Sequence, residues 1–357
     1  GENGLKLVSS DILSHLSPIL HFSLGWVGFI FGFQFEWRYL KRIQIYKYLA
    51  FLLSYMILFL MIFLFTFLTL KLFFPAFISS SRILFGTAIL LAFLFSESSF
   101  SFVTWGARFF KEEVTGLKLC SFISTMNNLI PIFLTGIIFS VYRFNHDSRA
   151  IELNELSYIV KHFLFQFGAA IFFGFLIYLL QKKVEDKYDL SVILFGSIFL
   201  ISGLSFIYDL SPLFIAMFAG AIFANLTKKH HFILKIINPT ERPIYLFFLL
   251  ILSFKMAYFN LLMVVFVVLL LFIKYYSNLL AFKAVNRIKP VFFSMPPHLS
   301  VLLIPISSIG PAILLDLSIT YPIANTSMLS GIFILGMLIA EVLSPIGVSI
   351  LMKTKHD

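Results

Sequence analysis

Lys274 stands in the middle of an apolar run, LLMVVFVVLLLFIKYYSNLLAFK (261–283). An ammonium at membrane depth costs about 2.5–3.5 kcal/mol on insertion scales, so it must find a partner or snorkel to the interface along its own stem. Lys283 follows after about nine residues, roughly 14 Å at helical rise, which keeps snorkelling open. The acids available as partners are Glu97, Asp316 and Glu341. Glu97 lies in a serine patch inside an apolar stretch, FLFSESSFSF (93–102). It reads either as a functional acid or as a solvated residue in a wet cavity. Asn127 and Asn128 sit together in STMNNLIPI, and Ser307 and Ser308 in LLIPISSIGPAILL. Amide and hydroxyl oxygens can ligate a cation. A carboxylate or an ammonium can exchange a proton, which an amide cannot.

The elements that must position these groups are membrane helices. The chain is 60% hydrophobic and 12% charged, far below the roughly 25% charged residues of soluble domains. Its mean hydropathy is +0.97. A soluble fold of 357 residues has too little interior for so much apolar side chain. The 47 phenylalanines read as a lipid-facing choice. Apolar runs fall near 12–35, 46–73, 82–110, 116–142, 155–181, 190–208, 211–227, 242–258, 259–287, 294–316 and 325–352, each near or above the ~20 residues a spanning helix needs. The expectation is an all-α polytopic bundle of about 11 helices in one transmembrane domain over 1–357. Asp209 and Asp316 are expected near loops, and Lys255 near an interface. The small residues Ala216, Ala219, Gly220, Ala221 and Ala224 predict close helix packing.

The net charge of +10 is spread over short loops, a pattern of membrane proteins and not of nucleic-acid binders. Alternating the helices places Arg38, Lys41, Arg42, Lys111, Lys118, Lys182, Lys183, Lys228, Lys229, Lys283, Arg287, Lys289 and Lys355 on one side. That bias predicts a cytoplasmic C-terminus in a bacterial inner membrane, with the polar opening stretch, 1–11, outside. His230 and His231 beside Lys228 and Lys229 read as a solvated loop. Cys120 is the one cysteine, which excludes an intramolecular disulfide and a cysteine metal cluster; no cofactor is expected. The chain carries no H-E-x-x-H, no G-x-S-x-G and no carboxylate pair within a helix, so an enzyme is not expected. A Ser307 or Ser308 pair with Lys274 is the residual enzymatic reading.

Two runs are interrupted by polar or helix-breaking residues, at Ser96–Ser101 and at Pro305–Pro311. An ordinary kink explains one such run. Two at corresponding positions point to a transporter binding site, because non-helical backbone is tolerated there only beside protein or a wet cavity. Each break lies third in a series of four elements. A Phe-rich helix and a long helix precede it, and a further long helix follows. That last helix holds Asn127 and Asn128 in the first series and Glu341 in the second. The series are offset by seven elements, which inverts one against the other, the inverted-repeat arrangement.

The order and spacing of these segments resemble the monovalent cation:proton antiporter superfamily, the Kef-type and sodium–proton exchanger fold. The resemblance is carried by LGWVGFIFGFQFEWRYLKR (24–42), DLSPLFIAMFAGAIFANL (209–226), PIYLFFLLILSFKMAY (243–258) and the last two helices, SSIGPAILLDLSITYP (307–322) and SMLSGIFILGMLIAEVLSPIGVSIL (327–351). It implies core helices over about 46–142 and 259–352, interface helices over about 12–35 and 190–258, and a linker helix at 155–181. It also implies a homodimer that exchanges a monovalent cation and a proton across the lipid bilayer, with the family's first one or two helices missing before Gly1. Where the family carries an acidic pair, this chain has Asn127 and Asn128, and Lys274 matches a lysine that pairs with the first acid in some members. Two expectations follow. One is a cation transporter with Asn127, Asn128, Ser307 and Ser308 as oxygen donors, Glu97 or Lys274 as proton carrier, and Glu341 nearby. The other is a protein that kept the fold, lost transport, and serves as a scaffold, sensory or assembly subunit with a membrane or regulatory partner.

Overall fold

The structure, a computed structural model, describes residues 15–37, 41, 43–73, 81–110, 114–146, 155–182, 184, 186–255, 261–288, 296–320 and 326–353. The polar stretch 1–11 and Arg38, Arg42, Lys111, Lys183, Lys289 and Lys355 of the orientation argument lie outside the described residues. Among the described residues every regular element is helical. The helices are α1 (Ser17–Phe33), α2 (Ile45–Phe73), α3 (Ser81–Ser96), α4 (Phe100–Gly106), α5 (Val114–His146), α6 (Glu155–Gln181), α7 (Lys187–Ile207), α8 (Pro212–Leu226), α9 (His230–Lys255), α10 (Leu261–Ile288), α11 (Ile309–Thr320) and α12 (Thr326–Lys353); a 3-10 helix, Pro297–Leu303, precedes α11.

Among the described residues seven segments are long and apolar enough to cross a bilayer: Ile45–Phe73, Leu84–Gly106, Thr115–Ile138, Ser157–Gln181, Tyr188–Ile207, Leu261–Arg287 and Met328–Ile350. The chain is a polytopic helical membrane protein. The shorter apolar helices α1, α8 and α11 are the ones buried almost all round. A helix apolar on every face belongs inside the protein, whereas α2, α6 and α7 keep broad exposed apolar faces for lipid.

The chain divides into two compact units. One contains α1, α5 from Ile132 onwards, α6–α9 to Phe254, and α11 from Pro311. Its centre is the packing of α1 on α8. A Cβ at Gly28 or Gly32 would strike the backbone carbonyl of Leu213 or Met217, and one at Gly220 would strike that of Phe29. Only glycine permits backbones this close. Phe29, Phe33 and Phe223 fill the flanks, and Trp26 stacks on Phe195 at 4.2 Å while its Nε1 donates to Thr240 Oγ1 at 2.6 Å. The sequence placed His230 and His231 in a solvated loop beside Lys228 and Lys229; the chain is helical from His230 instead. Ile233 and Ile237 recur at helical spacing and are buried, so α9 gains an amphipathic start. His230 belongs to that first turn, half-buried and stacked on Phe33 at 4.8 Å, and not to a solvated loop.

The second unit contains α2–α4, α5 to Pro131, α10, the 3-10 helix and α12. Its buried seam on α2 is Phe51, Ser54, Tyr55, Leu58, Ile62, Thr66 and Leu70, a stripe at helical spacing. Thr66 returns its hydroxyl to the Ile62 carbonyl at 2.9 Å, so that polar group is satisfied within its own helix.

Candidate ion site at the paired helix breaks

Ser96 closes α3, its Oγ donating to the Ala92 carbonyl at 2.6 Å. Residues Glu97, Ser98 and Ser99 then leave helical geometry, and α4 starts with Ser99 as its cap, accepting from Phe102 N at 3.3 Å. A second break, residues 304–308, separates the 3-10 helix from α11. Ser307 Oγ accepts from Ile309 N at 3.3 Å and caps that helix. The breaks satisfy each other. Ser99 N donates to the Pro305 carbonyl at 2.9 Å, and Ser98 Oγ to the Leu303 carbonyl at 3.2 Å. Backbone that has left helical bonding at membrane depth needs partners of this kind.

Helix α5 braces the first break through Ser98. Ser124 Oγ donates to the Ser98 carbonyl at 2.8 Å, Asn127 Nδ2 to Ser98 Oγ at 3.4 Å, and Asn128 Oδ1 accepts from Ser98 N at 3.3 Å. Asn127 and Asn128 are both buried, and Asn127 Oδ1 has no hydrogen-bond partner. Pro131 adds to this. Lacking an N–H, it leaves the main-chain carbonyl of Asn127, one turn earlier, without its helical donor.

Glu97 and Lys274 are both fully buried. Lys274 Nζ donates to the backbone carbonyl of Glu97 at 2.6 Å, not to its carboxylate. The carboxylate lies over the first turn of α11, where a Cβ on Gly310 would stand 3.0 Å from Oε2. The Lys274 ammonium and the Gly310 amide are the positive groups acting on it, yet neither carboxylate oxygen closes a hydrogen bond. The electrostatics are complementary. Lys274 Nζ sits at the negative C-terminal end of α3, and the Glu97 carboxyl lies beside the Gly310 amide. The hydroxyl of Tyr55, buried on α2 and without a hydrogen-bond partner, interacts electrostatically with Glu97.

The structure therefore gathers Glu97, Asn127, Asn128 and Lys274 around the first break and places buried Ser307 at the start of α11. Ser308 is half-buried beside it. Glu341 is exposed on α12 and is not part of this cluster. Lys274 does not snorkel: it is sealed in, because the Glu97 carbonyl supplies an acceptor at its own depth. Asp316 is not near a loop but on α11, fully buried, where Oδ2 accepts from Ser211 Oγ at 2.5 Å. Ser211 also caps α8, accepting from Phe214 N at 3.0 Å, so the same hydroxyl ties Asp316 to the start of that helix.

No family model matches the chain, and no curated protein matches it. The functional reading rests on the residues and their geometry. Sequence reasoning missed Ser98, the node of the network, although it lies in the serine patch already noted. It also missed Tyr55, whose signal was a phenol on the buried stripe of an otherwise apolar helix. Pro131 was legible too, as a proline one turn after an Asn pair. Among the described residues no three His, Cys, Asp or Glu side chains form a metal-binding group.

Proposed function

We propose that the chain moves a monovalent cation, Na⁺ or K⁺, across the membrane as a transporter of the cation/proton exchanger type, with Glu97 as the titrating carboxylate in place of the acidic pair. One observation carries this reading: Glu97 Oε1, Glu97 Oε2 and Asn127 Oδ1 are buried acceptors with no donor. Such acceptors are rare, and they suit a desolvated cation or a proton. Asn127 offers its side-chain oxygen and the carbonyl freed by Pro131, while cation and proton compete for Glu97. Lys274 keeps the empty site neutral. The two breaks support the antiporter-like fold with inverted repeats, and the bias of basic loops supports a cytoplasmic C-terminus in a bacterial inner membrane. A homodimer belongs to the same proposal.

The second reading is a transport-inactive protein of the same architecture, a membrane scaffold or a sensory or assembly subunit. It is favoured by the use already made of the two charges. Compensating the ends of α3 and α11 suffices to retain Glu97 and Lys274 without any transport.

The deciding experiment uses proteoliposomes with an internal pH-sensitive dye and an imposed pH gradient. Na⁺, K⁺ or Li⁺ is added to wild type, Glu97→Gln and Asn128→Asp. The expected result is a cation-dependent proton signal in wild type that Glu97→Gln abolishes while tracer cation still binds. A flat wild-type trace for every ion, with no tracer flux, overturns the transport reading and favours the scaffold. Exchange that appears only in Asn128→Asp means that the site was disarmed at that position alone.

A further inference from the structure

The unit that holds Glu97 leaves two complementary groups unused. The hydroxyl of Tyr55 is buried on α2 without a hydrogen-bond partner, and neither carboxyl oxygen of Glu97 has a donor. A serine or threonine on a helix can return its proton to a carbonyl of the preceding turn, as Thr66 does on the same helix. A phenol cannot, because its oxygen stands at the far end of a rigid ring. A buried tyrosine hydroxyl therefore needs an acceptor on another element.

Packing says which acceptor. Phe63 of α2 meets Phe85 of α3 at 5.5 Å, and Phe59 meets Phe93 at 4.6 Å, so the two helices run antiparallel. One further turn brings Tyr55, four residues before Phe59, level with Glu97, four residues after Phe93. Helix α10 gives the same level. Phe65 stacks on Phe266 at 5.7 Å, and beyond that contact Phe73 and Leu261 line one groove, so α2 and α10 are antiparallel as well. Tyr55 lies ten residues back from Phe65 and Lys274 eight residues on from Phe266, a difference of about 3 Å at helical rise. Lys274 is the residue bonded to the Glu97 carbonyl. Tyr55 also interacts electrostatically with Glu97.

The peptide that joins Glu97 to Ser98 is held at both ends. Lys274 Nζ donates to its oxygen, and its nitrogen donates to Asn128 Oδ1. The Glu97 side chain, which lies beside Gly310, can turn without breaking either bond.

We propose that Tyr55 is the hydrogen-bond donor of the Glu97 carboxylate: the side chain swings from Gly310 to Tyr55 about its fixed peptide, and a cation must displace the phenol to take the carboxylate. This rests on the reading of Glu97 as the titrating group of the site. It makes Tyr55 a positioning residue that sets how tightly the site holds its ion.

The test compares the purified full chain with Tyr55→Phe, which keeps the ring and removes only the hydroxyl. Tracer Na⁺ and K⁺ binding is measured in alkaline buffer, where few protons compete, and exchange is followed in proteoliposomes with the internal pH dye. Tyr55→Phe is expected to bind the cation about 10- to 150-fold more tightly, the range of one hydrogen bond to a charged group. Exchange should reach half its rate at a lower cation concentration and saturate at a lower rate, because release becomes slower. Unchanged affinity overturns the proposal, and so does weaker binding, which would make the phenol oxygen a ligand of the cation. A second readout does not use the ion. Infrared difference spectra of wild type against Tyr55→Phe in alkaline buffer free of Na⁺ and K⁺ should show a shifted carboxylate stretching band. An unshifted band overturns the proposal whether or not the chain transports. A shifted band in a chain that binds and moves no cation upholds Tyr55 as the donor to Glu97 and overturns the transport reading instead.

Discussion

Lys274 Nζ donates its hydrogen bond to the main-chain carbonyl of Glu97, while the Glu97 side chain turns to the start of α11. One residue thus serves both breaks: its carbonyl receives the lysine behind α3, and its carboxyl faces the Gly310 amide. The two charges act as a unit, although they make no direct hydrogen bond to each other.

Lys274→Met should therefore be costly. Removing one member of a buried charge pair destabilises by about 3–5 kcal/mol, because the other is left uncompensated. Glu97→Gln in the Lys274→Met background should recover a substantial part of that loss. Thermal unfolding of wild type, both single variants and the double variant gives the coupling. Simple additivity would show that the two charges do not sense each other.

Gly310→Ala tests the fit between the second break and the carboxylate. The new methyl group would strike the ring of Phe333 and crowd Glu97 Oε2. Overpacking of this kind costs about 1–3 kcal/mol. Phe333→Leu in the same chain should restore much of the stability, since a side chain is what blocks the methyl. Failure of that rescue would place the strain in the backbone of the break.

The helical membrane class was legible because composition and run length leave no soluble alternative. The positions of both interruptions were legible because Pro305, Gly310, Pro311 and the serines around Glu97 are poor at continuing a helix in an apolar run. What lay beyond the sequence was partnership. Nothing in the spacing says that Lys274 chooses a carbonyl over a carboxylate, or that Ser98 is held from three sides by α5, because those contacts join residues far apart in the chain. Asp316 was misread for the same reason. Its position after a Gly-Pro break resembles a loop, and only Ser211, about a hundred residues earlier, makes its burial intelligible. The Gly28 and Gly32 spacing on α1 could have been read, since it complements the small residues noted on α8.

Gly32→Ala should behave differently from Gly310→Ala. Its methyl group meets the main-chain carbonyl of Met217 and not a side chain. The expected loss is about 1–3 kcal/mol or more, as α1 and α8 are forced apart. Met217→Ala should not rescue it, because truncating a side chain does not move a carbonyl. Recovery in that double variant, read by thermal unfolding, would contradict the backbone contact.

Ser211 is the residue through which Asp316 is tied to α8. Its hydroxyl gives its one proton to Asp316 Oδ2 and accepts from Phe214 N, so two groups depend on it. Losing an N-cap costs about 0.5–2 kcal/mol, and a buried hydrogen bond contributes about 0.5–1.5 kcal/mol. Ser211→Ala should therefore lower stability by roughly 1–3 kcal/mol, since the two effects overlap. Ser211→Thr, which keeps the hydroxyl, should lose far less. In an Asp316→Leu background the cost of Ser211→Ala should fall towards that of the cap alone, because the acceptor of the serine hydroxyl is gone. The measurement is a double-mutant cycle by thermal unfolding. An undiminished cost of Ser211→Ala in that background would mean that the serine matters to α8 and not to Asp316.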